Sequence, residues 1–174
     1  MGEVTVELVG GVLEGDLHAD SAPPPYEFLD TLSPQIEIAG AGIAGMLDLR
    51  GYAAATISGG VIAGDLEAHD SASIVVTGGH LLGDLLALDE SVVEIHGAGF
   101  NLPTGNVTGS GGRITGTLED GTPIDVGFLR APGATIRLIP EPGALAGSLA
   151  ASLALWLCAR RRDKANAPSA SAGA

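Results

Sequence analysis

The sequence predicts an all-β fold: a short, parallel β-helix-like β-solenoid of repeats about 19 residues long, followed by one C-terminal transmembrane helix. Two adjacent copies of one unit, residues 59–77 and 78–96, align position by position in their glycines, aspartates and many apolar residues. Glycine contributes 27 of the 174 residues, as frequent tight turns require. An uncharged apolar run near the C-terminus predicts the membrane helix.

Two further copies of the unit are legible. Residues 10–21 match the central unit with one residue fewer, and residues 40–51 lie one repeat period before it. A fixed short period is typical of stacked units, in which each repeat buries its apolar face against the next one. We therefore predict that residues 1–139 form one repeat body.

The composition favours a narrow interior. Hydrophobic residues make up 45% of the chain, but aromatic residues make up only 3%. A core built mostly from Val, Ile, Leu and Ala suits the interior of a β-solenoid better than that of a sandwich or barrel, which needs bulkier side chains.

The repeats predict columns of equivalent side chains. Because side chains alternate between the two faces of a strand, apolar residues two positions apart point inward together. Stacked strands lie about 4.8 Å apart, so each column forms a continuous apolar row. The predicted inward columns are Ile36/Ala55/Ile74/Val93, Ile38/Ile57/Val76/Ile95, Leu13/Ile43/Ile62/Leu81 and Leu17/Leu47/Leu66/Leu85, and the predicted outward column is Glu37/Thr56/Val75/Glu94.

Two segments depart from the repeat. Residues 21–34 form an insertion with three consecutive prolines, which predicts an exposed loop because proline cannot join a central strand. The register breaks after residue 96, so residues 97–139 are predicted to form atypical terminal repeats. Phe100 and Phe128 are placed to cover that end of the body.

The charge of the chain limits its partners. The formal net charge is −13, and the acidic residues lie mostly in the repeat body. An acidic body repels the phosphate backbone, so nucleic acid is not expected as a partner. The single cysteine, Cys158, excludes an intrachain disulfide.

Two aspartate columns are candidate calcium ligands. Asp65 with Asp84, and Asp70 with Asp89, are predicted to stack one repeat apart, where like charges repel unless a cation or another partner lies between them. Aspartate is also a common turn residue, and the first column is interrupted by Met46. The sequence favours solvated turn aspartates and no cofactor, with calcium as the alternative.

The other polar residues predict no catalytic site. The four histidines lack metal-ligand spacing, and His18 and His69 are predicted to point to solvent. Arg50 lies in the column between Asp20 and His69, where its guanidinium could form an ion pair with Asp20 of the neighbouring repeat. A solenoid polysaccharide lyase or hydrolase needs clustered acids with Arg or Lys on one face, and none can be assigned from the sequence. We therefore expect no enzymatic activity.

The C-terminal segment predicts membrane insertion. Residues 143–159 form an uninterrupted apolar run, at the short end of the roughly 17–25 residues that span a bilayer. Arg160, Arg161 and Arg162 follow it directly, and a basic cluster marks the cytoplasmic end of a membrane helix. Residues 163–174 are rich in Ala and Ser, which favours a disordered tail.

This end of the chain resembles the sorting signal of bacterial PEP-CTERM proteins, in which a Pro-Glu-Pro motif, an apolar helix and an arginine cluster follow one another. The resemblance covers residues 140–162. It implies that Pro140, Glu141 and Pro142 are recognised by an exosortase, a membrane processing enzyme, and that the arginines act as a stop-transfer anchor. It also implies a link to exopolysaccharide production. The Gly/Asp-rich repeats and the segment ITGTLEDGTPI are similar to the bodies of many members of this family.

These observations predict a non-catalytic protein of the bacterial cell envelope or extracellular matrix, with an exported acidic body held at the cell membrane by its C-terminal segment. The alternatives are a membrane-anchored carbohydrate-active enzyme and a glycan-binding adhesin. In the N-terminal stretch, apolar and polar residues alternate as they do in a half-buried strand. The stretch lacks the basic start and the apolar run of a secretory signal peptide. Either export follows another route, or the recorded start lies inside a longer chain.

Overall fold

The computed structural model describes residues 4–21 and 33–141. These residues form strands joined by turns, and the two ranges contain no helix. The strands are β1 (Val4–Leu8), β2 (Val12–Leu13), β3 (Leu17–Asp20), β4 (Pro34–Ile43), β5 (Leu47–Arg50), β6 (Ala54–Ile62), β7 (Leu66–Ala68), β8 (Ser73–Leu81), β9 (Leu85–Ala87), β10 (Val92–Ala98), β11 (Gly105–Asn106), β12 (Gly111–Leu118), β13 (Pro123–Arg130) and β14 (Thr135–Pro140).

Most strands belong to two parallel stacks. The first stack runs β1-β4-β6-β8-β10, and β14 pairs with β10 in parallel beyond it. The second stack runs β3-β5-β7-β9, and β13 pairs with β9 in parallel. Successive repeats therefore place one strand in each stack, with a turn between the two.

The predicted columns are confirmed by the pairing register. Ile38, Ile57, Val76 and Ile95 are partners in consecutive strands, and each is at most 1% exposed. The columns that contain Ile36, Leu13 and Leu17 also pair as predicted, but Leu13 itself, in the first repeat, is 39% exposed and not part of the core. Because each inward position is apolar in every repeat, the columns merge into one continuous hydrophobic core.

Glycine permits the turn between the two stacks. Gly45, Gly64 and Gly83 lie one above another, and the Gly64 amide donates to the Gly45 carbonyl at 2.9 Å. A Cβ on Gly64 would lie 2.6 Å from the Gly45 carbonyl carbon. The backbones at this corner therefore approach too closely for any side chain to fit.

A hairpin joins the two stacks at the far end. β12 and β13 pair antiparallel over seven residue pairs, β12 also pairs antiparallel with β10, and β13 pairs in parallel with β9. Phe128 on β13 is buried in the core, and Phe100 is partly buried against it. The hairpin makes one 14-stranded sheet out of the two stacks.

The predicted all-β class is confirmed, and the rest of the predicted fold is corrected. The described residues form one curled, half-barrel sheet, not a β-solenoid with separate walls, because the antiparallel hairpin connects both stacks into a single hydrogen-bonded path. The described ranges also contain no helix that is long and apolar enough to cross a membrane. The predicted helix over residues 143–159 and the tail over residues 163–174 lie outside the described residues, as does most of the predicted insertion loop.

Among the described strands, those at the N-terminal end of the sheet form its two unpaired edges. The path of strands starts at β1 and ends at β3, so both of its edges lie in the first repeat. Val4 and Val6 are 49% and 40% exposed, whereas Ile36, the partner of Val6 in β4, is 3% exposed. Within the described part of the chain, the first repeat has a neighbour on one side alone, and its apolar side chains are correspondingly less buried.

Asp120 ties the hairpin turn to the first stack. Its carboxylate accepts hydrogen bonds from the Thr122 amide at 2.8 Å, the Thr122 hydroxyl at 2.8 Å and the Gly79 amide at 2.9 Å. Desolvation raises the pKa of Asp120, but these hydrogen bonds outweigh it, so the pKa lies below its ordinary value of 3.8. The charged carboxylate is therefore the form that holds the turn.

Replacing Asp120 by Ala should lower the free energy of unfolding by about 1 kcal/mol at neutral pH. The substitution removes the carboxylate that accepts hydrogen bonds from the Thr122 and Gly79 amides. Because the folded-state pKa is lowered, this stabilisation is present above the ordinary pKa of 3.8 and is lost as pH falls through the lower folded value. Urea unfolding at pH 7 and pH 3 measures the difference. Glu119→Ala, at the exposed neighbouring position, is the control and should be neutral. A difference between Asp120→Ala and wild type that grows on acidification would contradict this assignment.

Candidate functional site

The predicted sorting motif begins where the sheet ends. Pro140 is the last residue of β14, and its partner in β10 is Gly97. Glu141 directly follows the strand and is partly exposed. Pro142 and the predicted anchor Arg160, Arg161 and Arg162 lie outside the described residues.

Asp65 and Asp84 lie in the glycine corner. An Asp65 carboxylate oxygen accepts the Asp84 amide at 2.8 Å, and Asp16 accepts the Met46 amide at 2.9 Å in the equivalent place. The aspartate of one repeat thus binds the backbone of the next repeat. This contact gives the aspartates of this column a structural role, and calcium there stays a prediction.

Asp70 and Asp89 lie in the turns that lead from the second stack back to the first, Asp70 between β7 and β8 and Asp89 between β9 and β10. Both have positive φ, of 54° and 55°, a conformation that aspartate tolerates better than most residues. The Asp70 carboxylate accepts the Gly51 amide at 3.0 Å, and the Asp89 carboxylate accepts the Asp70 amide at 3.2 Å. These aspartates also connect consecutive repeats through the backbone.

One group of charged side chains stands apart from these turns. It lies on the outer face of the second stack, where β3, β5 and β7 place polar residues in register. We name it the Asp48 cluster, and its members are His18, Asp48, Arg50, Glu67 and His69.

Asp48 is the centre of this cluster. It lies between Leu47 and Leu49, which point into the core, so its own side chain points outward. The carboxylate is nevertheless only 4% exposed, because the neighbouring side chains cover it. A buried carboxylate needs charged or hydrogen-bonding partners, and the surrounding residues supply them.

Two basic side chains bind Asp48 from one side. The His18 ring contacts Asp48 Oδ2 through Nδ1 at 3.0 Å, and Arg50 contacts the same oxygen through Nε and a terminal nitrogen, each at 3.0 Å. Arg50 therefore pairs with Asp48 within its own strand, and the predicted pair with Asp20 is replaced by a longer-range attraction. Burial raises the pKa of Asp48, but the Arg50 and His18 hydrogen bonds and the charges of Arg50 and His69 lower it below its ordinary value.

The other side of Asp48 faces an imidazole and a second carboxylate. His69 Nε2 lies 3.2 Å from Glu67 Oε2 and 3.7 Å from Asp48 Oδ1. The opposite ring nitrogen, Nδ1, lies 3.9 Å from the Asp89 carboxylate. Among the described residues, Asp48, Glu67 and His69 are the group whose acid and imidazole ligand atoms all lie within 4.8 Å of one another.

The sequence alone does not indicate this cluster. It predicts that His18 and His69 face solvent without ligand spacing, and it indicates no role for Asp48 and Glu67. Both histidines do lie on the outward face, but their rings turn onto Asp48. A sequence signal for the cluster does exist in the column that runs from Leu17 to Leu85. The residues that follow its members form a neighbouring outward column, which consists of His18, Asp48, Glu67 and Leu86.

The remaining described arginines have structural partners. Arg113 pairs with Asp125 across the hairpin, and Arg137 pairs with Glu94 at 2.9 Å. Arg130 donates to the backbone carbonyls of Ala134, Gly109 and other residues around the hairpin. Arg50 is thus the arginine of the described residues that lies beside a cluster of acids and imidazoles.

Comparison with known proteins gives no match: no protein-family model, no curated protein and no solved structure matches the chain.

Proposed function

We propose that this chain is a non-catalytic protein of the bacterial cell envelope or extracellular matrix, whose acidic body is exported and whose C-terminal segment is a PEP-CTERM sorting signal processed by an exosortase. The observation that carries this proposal is the order of the C-terminal segments. Pro140, Glu141 and Pro142 precede an uncharged apolar run over residues 143–159, and three arginines follow that run.

The position of the motif relative to the body supports the proposal. A processing enzyme must reach its recognition residues in an extended, accessible chain. Pro140 ends β14, and Glu141 directly after it is partly exposed, so the motif starts at the boundary of the sheet. Proline at residues 140 and 142 also disfavours helix at the motif itself.

The properties of the body fit a display role. The chain has a net charge of −13, and the body is a sheet held together by repeated apolar columns and backbone hydrogen bonds. The negative charge of such a body favours solubility outside the cell. Exopolysaccharide is the partner class that the family resemblance suggests.

The proposal is tested first by fractionation. The chain should stay with membranes through a carbonate or high-salt wash, because burial of apolar residues 143–159 would hold it there. A chain attached by surface charge alone would be released, since salt screens that attraction. Deleting residues 140–174 should release the body. Replacing Arg160, Arg161 and Arg162 by neutral residues should impair orientation or retention. A full-length chain released by salt alone would contradict membrane anchoring.

The motif is tested separately from the anchor. In a bacterial host that carries an exosortase, replacing both Pro140 and Pro142 by Ala should block processing and leave membrane association unchanged, since the apolar run remains. The readout is the mass of the mature chain. Processing of the double variant at the wild-type rate would show that the segment is an anchor without a sorting motif.

A carbohydrate-active enzyme is the second candidate, and one observation favours it. The Asp48 cluster combines two carboxylates, Asp48 and Glu67, with Arg50 on one face of the sheet, which is the residue combination that such an enzyme needs. Chain cleavage of a polysaccharide by the purified protein, abolished by Asp48→Asn and Glu67→Gln, would favour this candidate over the display role.

A further inference from the structure

We propose that the Asp48 cluster binds a divalent transition-metal ion of the Zn²⁺ type, with His69, Glu67 and Asp48 as its ligands. This proposal does not depend on the sorting signal, because every residue in it belongs to the described sheet.

The distances between the ligand atoms fit such an ion. Zinc binds nitrogen and oxygen at about 2.0–2.2 Å in a tetrahedral arrangement, so two neighbouring ligand atoms lie about 3.3–3.6 Å apart. His69 Nε2 lies 3.2 Å from Glu67 Oε2 and 3.7 Å from Asp48 Oδ1, on either side of this spacing. The third separation, between the two carboxylates, is at most 4.8 Å. Small side-chain rotations would therefore bring the three atoms to one ion.

The backbone fixes the ligands relative to one another. Asp48 and Glu67 are paired residues of adjacent parallel strands, β5 and β7, and His69 follows β7 directly. Residues on paired strands keep a constant spacing, and the His69 amide donates to the Leu49 carbonyl of β5 at 2.9 Å, so the backbone holds all three ligands in place.

The surrounding groups suit a metal-binding imidazole. A histidine that binds zinc through one ring nitrogen commonly donates the other N–H to a carboxylate. In His69 the Asp89 carboxylate lies 3.9 Å from Nδ1, on the ring side opposite the two ligand carboxylates that Nε2 faces, so a modest side-chain movement would form this hydrogen bond. His18 holds the far oxygen of Asp48 at 3.0 Å and acts as a positioning residue for that ligand.

The donor set selects the class of metal. Calcium and magnesium take oxygen ligands, whereas imidazole together with carboxylates suits zinc and its neighbours in the first transition row. The cluster therefore differs in chemistry from the aspartate columns Asp65/Asp84 and Asp70/Asp89, which offer oxygen alone.

Arg50 competes with the ion for Asp48. Its guanidinium lies within 3.0–3.2 Å of both Asp48 oxygens, and its side chain is 52% exposed. An ion bound to Asp48 would be repelled by this positive charge, and the exposed arginine can turn toward solvent. Removing the charge should therefore strengthen metal binding, which distinguishes a metal site from a purely structural ion-pair cluster.

The test is calorimetric titration of the full-length chain with ZnCl₂ alone, after treatment with a chelator. The wild type should bind one ion, and His69→Gln should weaken binding by at least about tenfold. Glu67→Gln should weaken it in the same direction and serves as the second variant if His69→Gln fails to fold. His80→Gln, at an exposed position outside the cluster, is the matched control and should bind as the wild type does.

Two further arms sharpen the result. Arg50→Gln should tighten Zn²⁺ binding several-fold, since it removes the competing cation while keeping a polar side chain of similar length. CaCl₂ in excess should not displace Zn²⁺. Equal Zn²⁺ binding by wild type and both ligand variants would overturn the proposal, as would weaker binding by Arg50→Gln or displacement by Ca²⁺.

Discussion

The Ile57→Asp variant should fail to form the folded sheet, with a loss of more than about 4 kcal/mol in the free energy of unfolding. Ile57 is 1% exposed and packs in the column between Ile38 and Val76, which are also buried. A carboxylate at this position would be surrounded by aliphatic side chains and have no partner for its charge. Circular dichroism and urea unfolding of the purified variant measure the loss.

Thr56→Asp is the matched control for this substitution. Thr56 precedes Ile57 in β6, but its side chain points outward and is exposed. The same carboxylate there stays in water and meets only the like charge of Glu37, its partner on β4, so the variant should unfold within about 1 kcal/mol of the wild type. Equal loss in the two variants would contradict the assignment of inward and outward faces.

Gly64→Ala should also destabilise the sheet strongly, by about 2–3 kcal/mol, although it adds a single methyl group. The new Cβ would lie 2.6 Å from the carbonyl carbon of Gly45, which belongs to the backbone of the preceding repeat and cannot rotate away. The two repeats would have to separate at this corner and lose the hydrogen bond between the Gly64 amide and the Gly45 carbonyl. Thermal and urea unfolding measure the effect.

Gly10→Ala controls for the general effect of replacing glycine. A Cβ at residue 10 meets no atom within 4 Å. This variant should therefore have nearly wild-type stability, or gain slightly because alanine restricts the unfolded chain. If Gly64→Ala were as stable as Gly10→Ala, the close approach of the repeats at the glycine corner would be wrong.

The register of the strands could be predicted because the sequence repeats. One repeat period separates Ile38 from Ile57 and Ile57 from Val76, and alternation within a strand then determines which side chains are buried. Both rules depend on local spacing, and local spacing is what a sequence displays directly.

The closure of the sheet could not be predicted in the same way. Residues after 96 leave the repeat, so no offset indicates their partners. The antiparallel pairing of β12 with β13 depends on a turn at Asp120 and Gly121, and the pairing of β13 with β9 joins residues far apart in the chain. This hairpin turns two stacks into one curled sheet, and it is the reason the predicted solenoid was wrong.

The Asp48 cluster was missed for a related reason. His18 on β3 and Asp48 on β5 lie on strands that pair directly, but they are far apart in the sequence. The insertion between β3 and β4 lengthens the chain that separates them. Metal-ligand motifs are usually sought as short spacings along the chain. Glu67 and His69 have such a spacing, but Asp48 meets them from the neighbouring strand. Asp48 also occupies an outward position, and the strand pattern alone does not show that His18, Arg50 and His69 would cover it.

The most direct measurement of the proposed function is the intact mass of the wild-type chain recovered from paired bacterial hosts, with and without an exosortase. We expect the host with the enzyme to yield a chain truncated near Pro140, Glu141 and Pro142, and the host without it to yield a chain that retains residues 143–174. A chain of the same mass from both hosts, with residues 143–174 still attached, would contradict processing by an exosortase.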